Sequence, residues 1–253
     1  QISAQAHIRA MEFAKPERFE YQLEAELHHE FAMQGAKHPA YSTIVGSGEN
    51  ACILHYTENS AELKDGQLVL IDAGCELNGY AADITRTFPV SGRFSQTQRQ
   101  LYQLVLDAQV AALECIKPGR TISAASAAAI EVITAGLIDL GLLKGSVADN
   151  IMGQHYRAFF MHGLSHWLGL DVHDVGNYKV ADRDRPFEAG MVLTVEPGIY
   201  VASDAPVAEH WRGIGIRIED NVLITATGHE ILTKDVPKEI SEIETLMAAK
   251  FDS

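Results

Sequence analysis

The chain has 253 residues, 47% of them hydrophobic and 21% charged, a globular composition that excludes a disordered or low-complexity protein. Lys and Arg total 20 against 34 Asp and Glu, a formal net charge of −14; such a surface repels phosphate backbones and anionic lipid, so neither nucleic acid nor a membrane is expected as a partner. The richest apolar stretch, residues 122–143, is interrupted by Glu131 and Asp139 and is expected to fall short of the roughly 20 uninterrupted residues of a spanning helix. Cys52, Cys75 and Cys115 are odd in number, widely spaced and without a CxxC pair, which argues for free thiols and a reducing, cytoplasmic setting. The first residue is Gln1 and no signal-peptide pattern follows, so the chain is expected to be a domain of a longer protein.

In chain order, residues 2–14 read as a helix stopped by Lys15-Pro16, since proline restricts the residue before it and cannot donate to the ladder. Residues 19–34 resume the helical period, with Leu23, Leu27 and Phe31 on one stripe and Gly35 as terminator. Residues 41–56 are β-leaning and punctuated by glycine. Residues 68–73 and 80–88 read as strands around Asn78-Gly79, a strong hairpin dipeptide. Ser95 with Gln98 forms a capping box for a helix to about Cys115, and residues 121–140 form a second long helix closed by Gly141. Residues 159–170, 191–196, 213–220 and 221–225 are strand-like, and residues 237–250 close the chain as an amphipathic helix. With no linker and no short repeat, residues 1–253 read as one α+β domain, helices on one side of a mainly antiparallel sheet.

The chemistry concentrates at five places. Asp72 and Asp83 lie on the two arms of the hairpin. If Leu77-Asn78 is the turn they sit directly opposite; if Asn78-Gly79 is the turn, Asp72 opposes Thr85. Either register puts both on one face within about 8 Å. Paired buried carboxylates repel each other unless a cation lies between them; the plain alternative is two turn-proximal aspartates bonding backbone amides. His162 and His166 are evenly spaced and share a face in a strand, and His173 follows; singly, such histidines are more often core or surface residues than ligands. Glu196 ends an apolar strand before Pro197-Gly198, and Arg217 and Glu219 share the face opposite Ile214, Ile216 and Ile218. Together, four carboxylates and one imidazole make a hard, oxygen-rich, thiolate-free set. It suits two divalent cations, manganese, cobalt or zinc, better than a structural zinc.

These residues carry a resemblance. Asp72, Asp83, His166, Glu196 and Glu219 reproduce in order and spacing the metal pentad of the methionine aminopeptidase/prolidase (M24) family. Ile44-Val45-Gly46-Ser47-Gly48-Glu49-Asn50, Asp72-Ala73-Gly74-Cys75, Asp83-Ile84-Thr85-Arg86-Thr87-Phe88-Pro89-Val90, His162-Gly163-Leu164-Ser165-His166-Trp167-Leu168-Gly169 and Val195-Glu196-Pro197-Gly198 are similar to its proline-specific aminopeptidase P branch. The resemblance implies the "pita-bread" fold: a curved, mainly antiparallel sheet, outer helices, an internal pseudo-two-fold and two metals between the halves, manganese first among them. It also implies a separate N-terminal domain, absent from this chain, and homo-oligomerisation of the full-length protein. The implied reaction removes the N-terminal residue from peptides with proline in second position.

By the same resemblance Asp72 and Asp83 would hold one metal, Asp83 and Glu219 would bridge to the second, and His166 and Glu196 would complete it. Glu196 would be the general base. His173 would hydrogen-bond the scissile carbonyl or its oxyanion, His55 and His162 would line the proline pocket, and Arg217 would orient Glu219 or the hairpin aspartates. Three alternatives share much of this: a prolidase restricted to Xaa-Pro dipeptides, a non-catalytic binding protein on the same fold, and a metal-free amidinohydrolase, which would have no reason to keep the five ligands.

Overall fold

The structure, a computed structural model, describes residues 1–248. Two helices open it, α1 (Ile2–Phe13) and α2 (Glu20–Met33), the break between them falling at Lys15-Pro16. Strands β1 (His38–Pro39), β2 (Ile44–Ser47), β3 (Leu68–Asp72), β4 (Cys75–Leu77), β5 (Tyr80–Ala81) and β6 (Thr85–Pro89) follow. A second helix pair, α3 (Gln96–Glu114) and α4 (Ile122–Asp139), leads through a short α5 (Val147–Met152) to β7 (Lys179–Val180), β8 (Arg183–Asp184), β9 (Val192–Val195), β10 (Gly198–Val201), β11 (Ile214–Arg217), β12 (Asp220–Ile224) and β13 (His229–Ile231). The last described element is α6 (Ile240–Ala248); residues 249–250, included in the expected closing helix, lie outside the described residues. A helix pair followed by antiparallel strands thus occurs twice, once in each half.

All described pairings are antiparallel: β2-β3-β6 in the first half, β13-β12-β9 and β10-β11 in the second, with the small ladders β1-β4-β5 and β7-β8 at the periphery. The curved sheet is built in these pieces, and a bridge between Thr85 and Glu219 joins its halves. In the hairpin Leu77 opposes Tyr80 and Asp72 opposes Thr85, so Asn78-Gly79 is the turn. Both turn residues have positive φ (54° and 87°), the conformation that matches strand twist. Gly74 is required where the arms close: a Cβ there would lie 1.7 Å from the Ala82 carbonyl oxygen.

The helices cover the outer side. Leu23, Leu27 and Phe31 of α2 and Leu101, Tyr102 and Val105 of α3 are buried in one core with Val69, Ile71 and Phe88 of the sheet. Ser95 caps α3 as expected, its hydroxyl accepting from the Gln98 amide (3.2 Å) while the Gln98 side chain accepts from the Ser95 amide (2.8 Å).

The structure departs from the sequence expectations in several places. At 18 residues and mean hydropathy 1.5, α4 is long and apolar enough to span a membrane by length and composition; Glu131 and Asp139 do not break it. It packs along α3, burying Ala125, Ala129, Ile133 and Leu137. Only residues 44–47 of the β-leaning 41–56 form a strand; Gly48–Cys52 is a 3₁₀ turn. Residues 213–220 change partner midway, β11 pairing with β10 and β12 with β9.

Residues 159–170 are not a strand. Residues 164–168 do run antiparallel to β9, with Leu168 N–H to Val192 O, Thr194 N–H to His166 O and Glu196 N–H to Leu164 O at 2.9–3.1 Å. The ladder is incomplete because the His166 N–H goes to the Thr194 hydroxyl (3.1 Å) rather than to its carbonyl.

Candidate dinuclear metal centre

The two halves meet at a cavity of about 320 Å³. Asp72 enters it from the end of β3, Asp83 from the return arm before β6, His166 from the segment beside β9, Glu196 from just after β9, and Glu219 from the switch between β11 and β12. His55, His162, His173 and Arg217 line the same cavity, which therefore gathers all nine residues singled out in the sequence. Ligand atoms of Asp83, His166 and Glu219 lie within 4.8 Å of one another.

The hairpin carboxylates are well supported. The Tyr41 hydroxyl lies 2.6 Å from both Asp72 Oδ1 and Asp83 Oδ1, and burial together with those carboxylates raises its pKa well above the usual range, which keeps it a donor. Arg217 donates from Nη2 to Asp72 Oδ2 (2.6 Å), from Nε to the Thr85 hydroxyl (3.1 Å) and from Nη1 to the Tyr200 hydroxyl (2.9 Å). Its charged contact is thus Asp72 and not Glu219. The Tyr200 hydroxyl in turn sits 2.8 Å from His162 Nε2, while His162 Nδ1 faces the Gly163 carbonyl (2.8 Å). Both ring nitrogens of His162 are engaged, so it presents ring surface to the cavity. Burial and the nearby Arg217 hold its pKa down at about 4.

The second-half ligands are left short of partners. The Thr85 hydroxyl donates to Glu219 Oε2 (2.7 Å), but Glu219 Oε1 is buried with no partner among the described residues. His166 Nδ1 faces the Trp167 carbonyl at 3.0 Å, which only accepts, so one proton sits there; in the neutral ring the Nε2 lone pair would face Asp83 Oδ2 and Glu196 Oε1, each 3.3 Å away, a conflict that a second proton on Nε2 or a cation relieves. Glu196 Oε1 also accepts from Thr194 (3.2 Å), while Oε2 makes no hydrogen bond among the described residues and lies 3.8 Å from His162 Nδ1.

Burial with neighbouring carboxylates pushes Glu219 well above the carboxylate range, and burial pushes Glu196 to about 8 against the charge of His166. Burial also raises Asp72 against the pull of Arg217; at Asp83 burial is outweighed by hydrogen bonds from His166 and Tyr41, and its pKa falls. Burial opposes protonation of His166, yet its bond to Asp83 and the charge of Glu196 raise its pKa. An unpaired buried carboxylate oxygen and a lone pair aimed at two carboxylates fit divalent cations, which remove both conflicts at once. Tyr41, Thr85, Thr194 and Tyr200 are the residues that sequence reasoning missed. Of these only Thr85 left a signal, as the partner of Asp72 in one of the two hairpin registers.

The fold is that of a metallopeptidase family: the chain matches metallopeptidase family M24 over residues 1–226, and it belongs to that family. Among its relatives, the Xaa-Pro aminopeptidase of Escherichia coli K12 is 59% identical over 249 residues, covering 98% of this chain and 56% of that protein. The structure of Pseudomonas aeruginosa aminopeptidase PepP superposes with a TM-score of 0.99 at 58% identity, over 100% of this chain and 57% of that one. A zinc-substituted E. coli aminopeptidase P in complex with product superposes at 0.96 and 59% identity, over 98% and 56%. The chain therefore spans little more than half the length of these relatives.

Proposed function

We propose that this chain is the catalytic part of a metal-dependent aminopeptidase that releases the N-terminal residue from peptides whose second residue is proline. The observation that carries the reading is the meeting of four carboxylates and one imidazole in a single cavity, with the Glu219 oxygen and the His166 lone pair lacking a cationic partner. The names of the relatives support the substrate class. Residues 1–253 form one catalytic unit, and the remaining length of the relatives corresponds to a further domain through which the full-length protein assembles as a homo-oligomer. The unpaired cysteines support a reducing compartment, the cytoplasm.

Asp72, Asp83, His166, Glu196 and Glu219 hold two divalent ions, manganese first, with cobalt or zinc also suited to the donor set. Bound there, the ions supply Lewis acidity and a lowered pKa for water. Glu196 is the base: Oε1 accepts from Thr194, so Oε2 takes the water proton and returns it to the proline nitrogen, which leaves as the carbonyl carbon gains the oxygen. The His173 ring, packed on His166 with centroids 4.2 Å apart, donates to the oxyanion. His55 and the ring surface of His162 line the proline site, and Arg217 with Tyr41 fixes Asp72.

Peptides of the form Xaa-Pro-Yaa, Xaa-Ala-Yaa and the dipeptide Xaa-Pro, each incubated with manganese-loaded protein, test this. Release of Xaa from the first alone is expected. Cleavage confined to the dipeptide would make the protein a prolidase, and no cleavage of any with any of the three metals would remove the enzyme reading.

A further inference from the structure

Residues 171–186, which carry His173, are almost entirely solvent-exposed, and the His173 ring makes no hydrogen bond among the described residues. Its one ring contact is the edge of His166, at 63° between planes. An imidazole that must meet an oxyanion within hydrogen-bond distance needs more than that to hold it, since an error of about 1 Å costs as much as a hundredfold in rate.

Close to His173 the chain is tied by the Gly169 amide to the Asp171 carbonyl (3.1 Å) and by the Asp171 amide to Asp174 Oδ1 (3.3 Å); the support that joins the loop to the site runs through Trp167, next to His166 in sequence. Its carbonyl accepts from the Asp174 amide (3.0 Å) as well as facing His166 Nδ1. Its amide donates to the Tyr178 hydroxyl (3.2 Å), and its indole stacks on the Tyr178 ring, centroids 5.6 Å apart and planes 24° apart. The backbone of the loop lies directly on the indole: a Cβ on Gly176 would come within 2.5 Å of Trp167 Cδ1. Tyr178 itself is 46% exposed and bonds to none of the pocket side chains.

The geometry points to Tyr178 as a positioning residue for the reaction: by clamping the loop onto Trp167 it seats His173 beside His166. The ring does the work, because the stack fixes the loop in two dimensions and water can replace the hydroxyl at this half-exposed position. The inference rests on the role given to His173 above, so its test separates the two.

With an Xaa-Pro-Yaa peptide and manganese-loaded full chain, Tyr178→Ala is expected to lower kcat/KM by about 10–100-fold, and Tyr178→Phe to stay within about threefold of the parent. In a His173→Ala background, Tyr178→Ala is expected to change the rate by less than about twofold, because its effect passes through the ring already removed. An equal loss in both backgrounds, or a Phe variant as impaired as Ala, overturns the proposal. The second readout needs no turnover: the His173 imidazole resonances of the chelated protein should shift in Tyr178→Ala and not in Tyr178→Phe. Unmoved resonances in a folded Tyr178→Ala protein overturn the clamp even if the parent proves inactive on proline peptides. Should Tyr178→Ala not fold, Tyr178→Leu, which keeps apolar cover without a ring plane, is read in the same way.

Discussion

Glu219 and Asp220 are consecutive and equally buried, at 1% and 0% exposure, yet they meet opposite electrostatics. They leave the chain on opposite faces, as do their neighbours Thr85 and Arg86 across the bridge that joins the two halves. On the rear face everything is paired. All five N–H donors of Arg86 find acceptors: Asp220 Oδ1 and the carbonyls of Thr85, Glu219, Val236 and Pro237. Asp220 also accepts from Thr233 and Lys238, each at 2.7 Å, and Lys238 donates to Gln109 (2.9 Å). Although burial opposes ionisation, Arg86 and Lys238 hold the Asp220 carboxyl down at about 2. On the cavity face Glu219 has one hydroxyl and no cation, and its pKa lies far above the ordinary range. A fold that needs a buried carboxylate for itself brings the counterion in its own sequence; a carboxylate left without one awaits a ligand.

The largest effect should come from opening the paired cluster. Arg86→Met leaves Asp220 buried without its guanidinium partner and takes one donor from each of four backbone carbonyls, so unfolding in urea should show a loss of about 3–5 kcal/mol. A loss below about 1 kcal/mol would mean that Lys238 alone compensates Asp220. Glu219→Gln should behave in the opposite sense. Turnover should fall about a thousandfold, some 4 kcal/mol in barrier, with elemental analysis showing lost metal. The chelated variant should unfold at a urea concentration no lower than the parent, because the neutral amide removes the cost of either burying that charge or protonating it, and can donate to the surrounding carboxylates. A chelated variant destabilised as strongly as Arg86→Met would make Glu219 a structural residue and erase the contrast between the faces.

The contrast was only half legible in the sequence. Alternation placed Arg217 and Glu219 on one face, and the Asn78-Gly79 turn put Asp72 and Asp83 on one side of the hairpin in either register. Helix stops, the Ser95 cap and the turn are local signals, written within a few residues. What was not legible depends on distant chain segments meeting. Tyr41 reaches Asp72 and Asp83 across 31 and 42 residues, and Arg86 reaches Asp220 across 134. The apolar, aromatic content of 159–170 reads as a strand because that segment does lie along β9. Only the side chain of Thr194, 28 residues away, takes the bond that would complete the ladder.

A third kind of burial sits behind the site and sharpens the rule. His7 of α1 is fully buried; its Nε2 donates to the Ala73 carbonyl next to Asp72 (2.9 Å), and Nδ1 has no hydrogen-bond partner among the described residues. Neither a counterion nor an open face is provided, so the group is kept neutral: burial lowers its pKa to about 4. As pH falls the unfolded chain, titrating near 6.5, takes up its proton first. Stability that is present above that value is therefore lost progressively between 6.5 and 4, about 3 kcal/mol in all for this group. His7→Gln keeps a donor for Ala73 and cannot titrate, so urea midpoints measured from pH 7 to pH 5 should fall less steeply than in the parent. Parallel curves would show that His7 is not held neutral by burial.

The smallest effect belongs to Lys238, whose side chain is 19% exposed, against none for Arg86 and Asp220. Lys238 approaches Asp220 Oδ2 from the partly exposed side, and in Lys238→Met Arg86 still neutralises the carboxylate. The cost should be about 1 kcal/mol in the same urea experiment. The ratio of the two losses then measures how far burial, rather than charge count, sets the value of a counterion in this cluster. Equal losses would mean that the ammonium and the guanidinium act as one charge pair with Asp220, and that the five acceptors around Arg86 contribute nothing of their own.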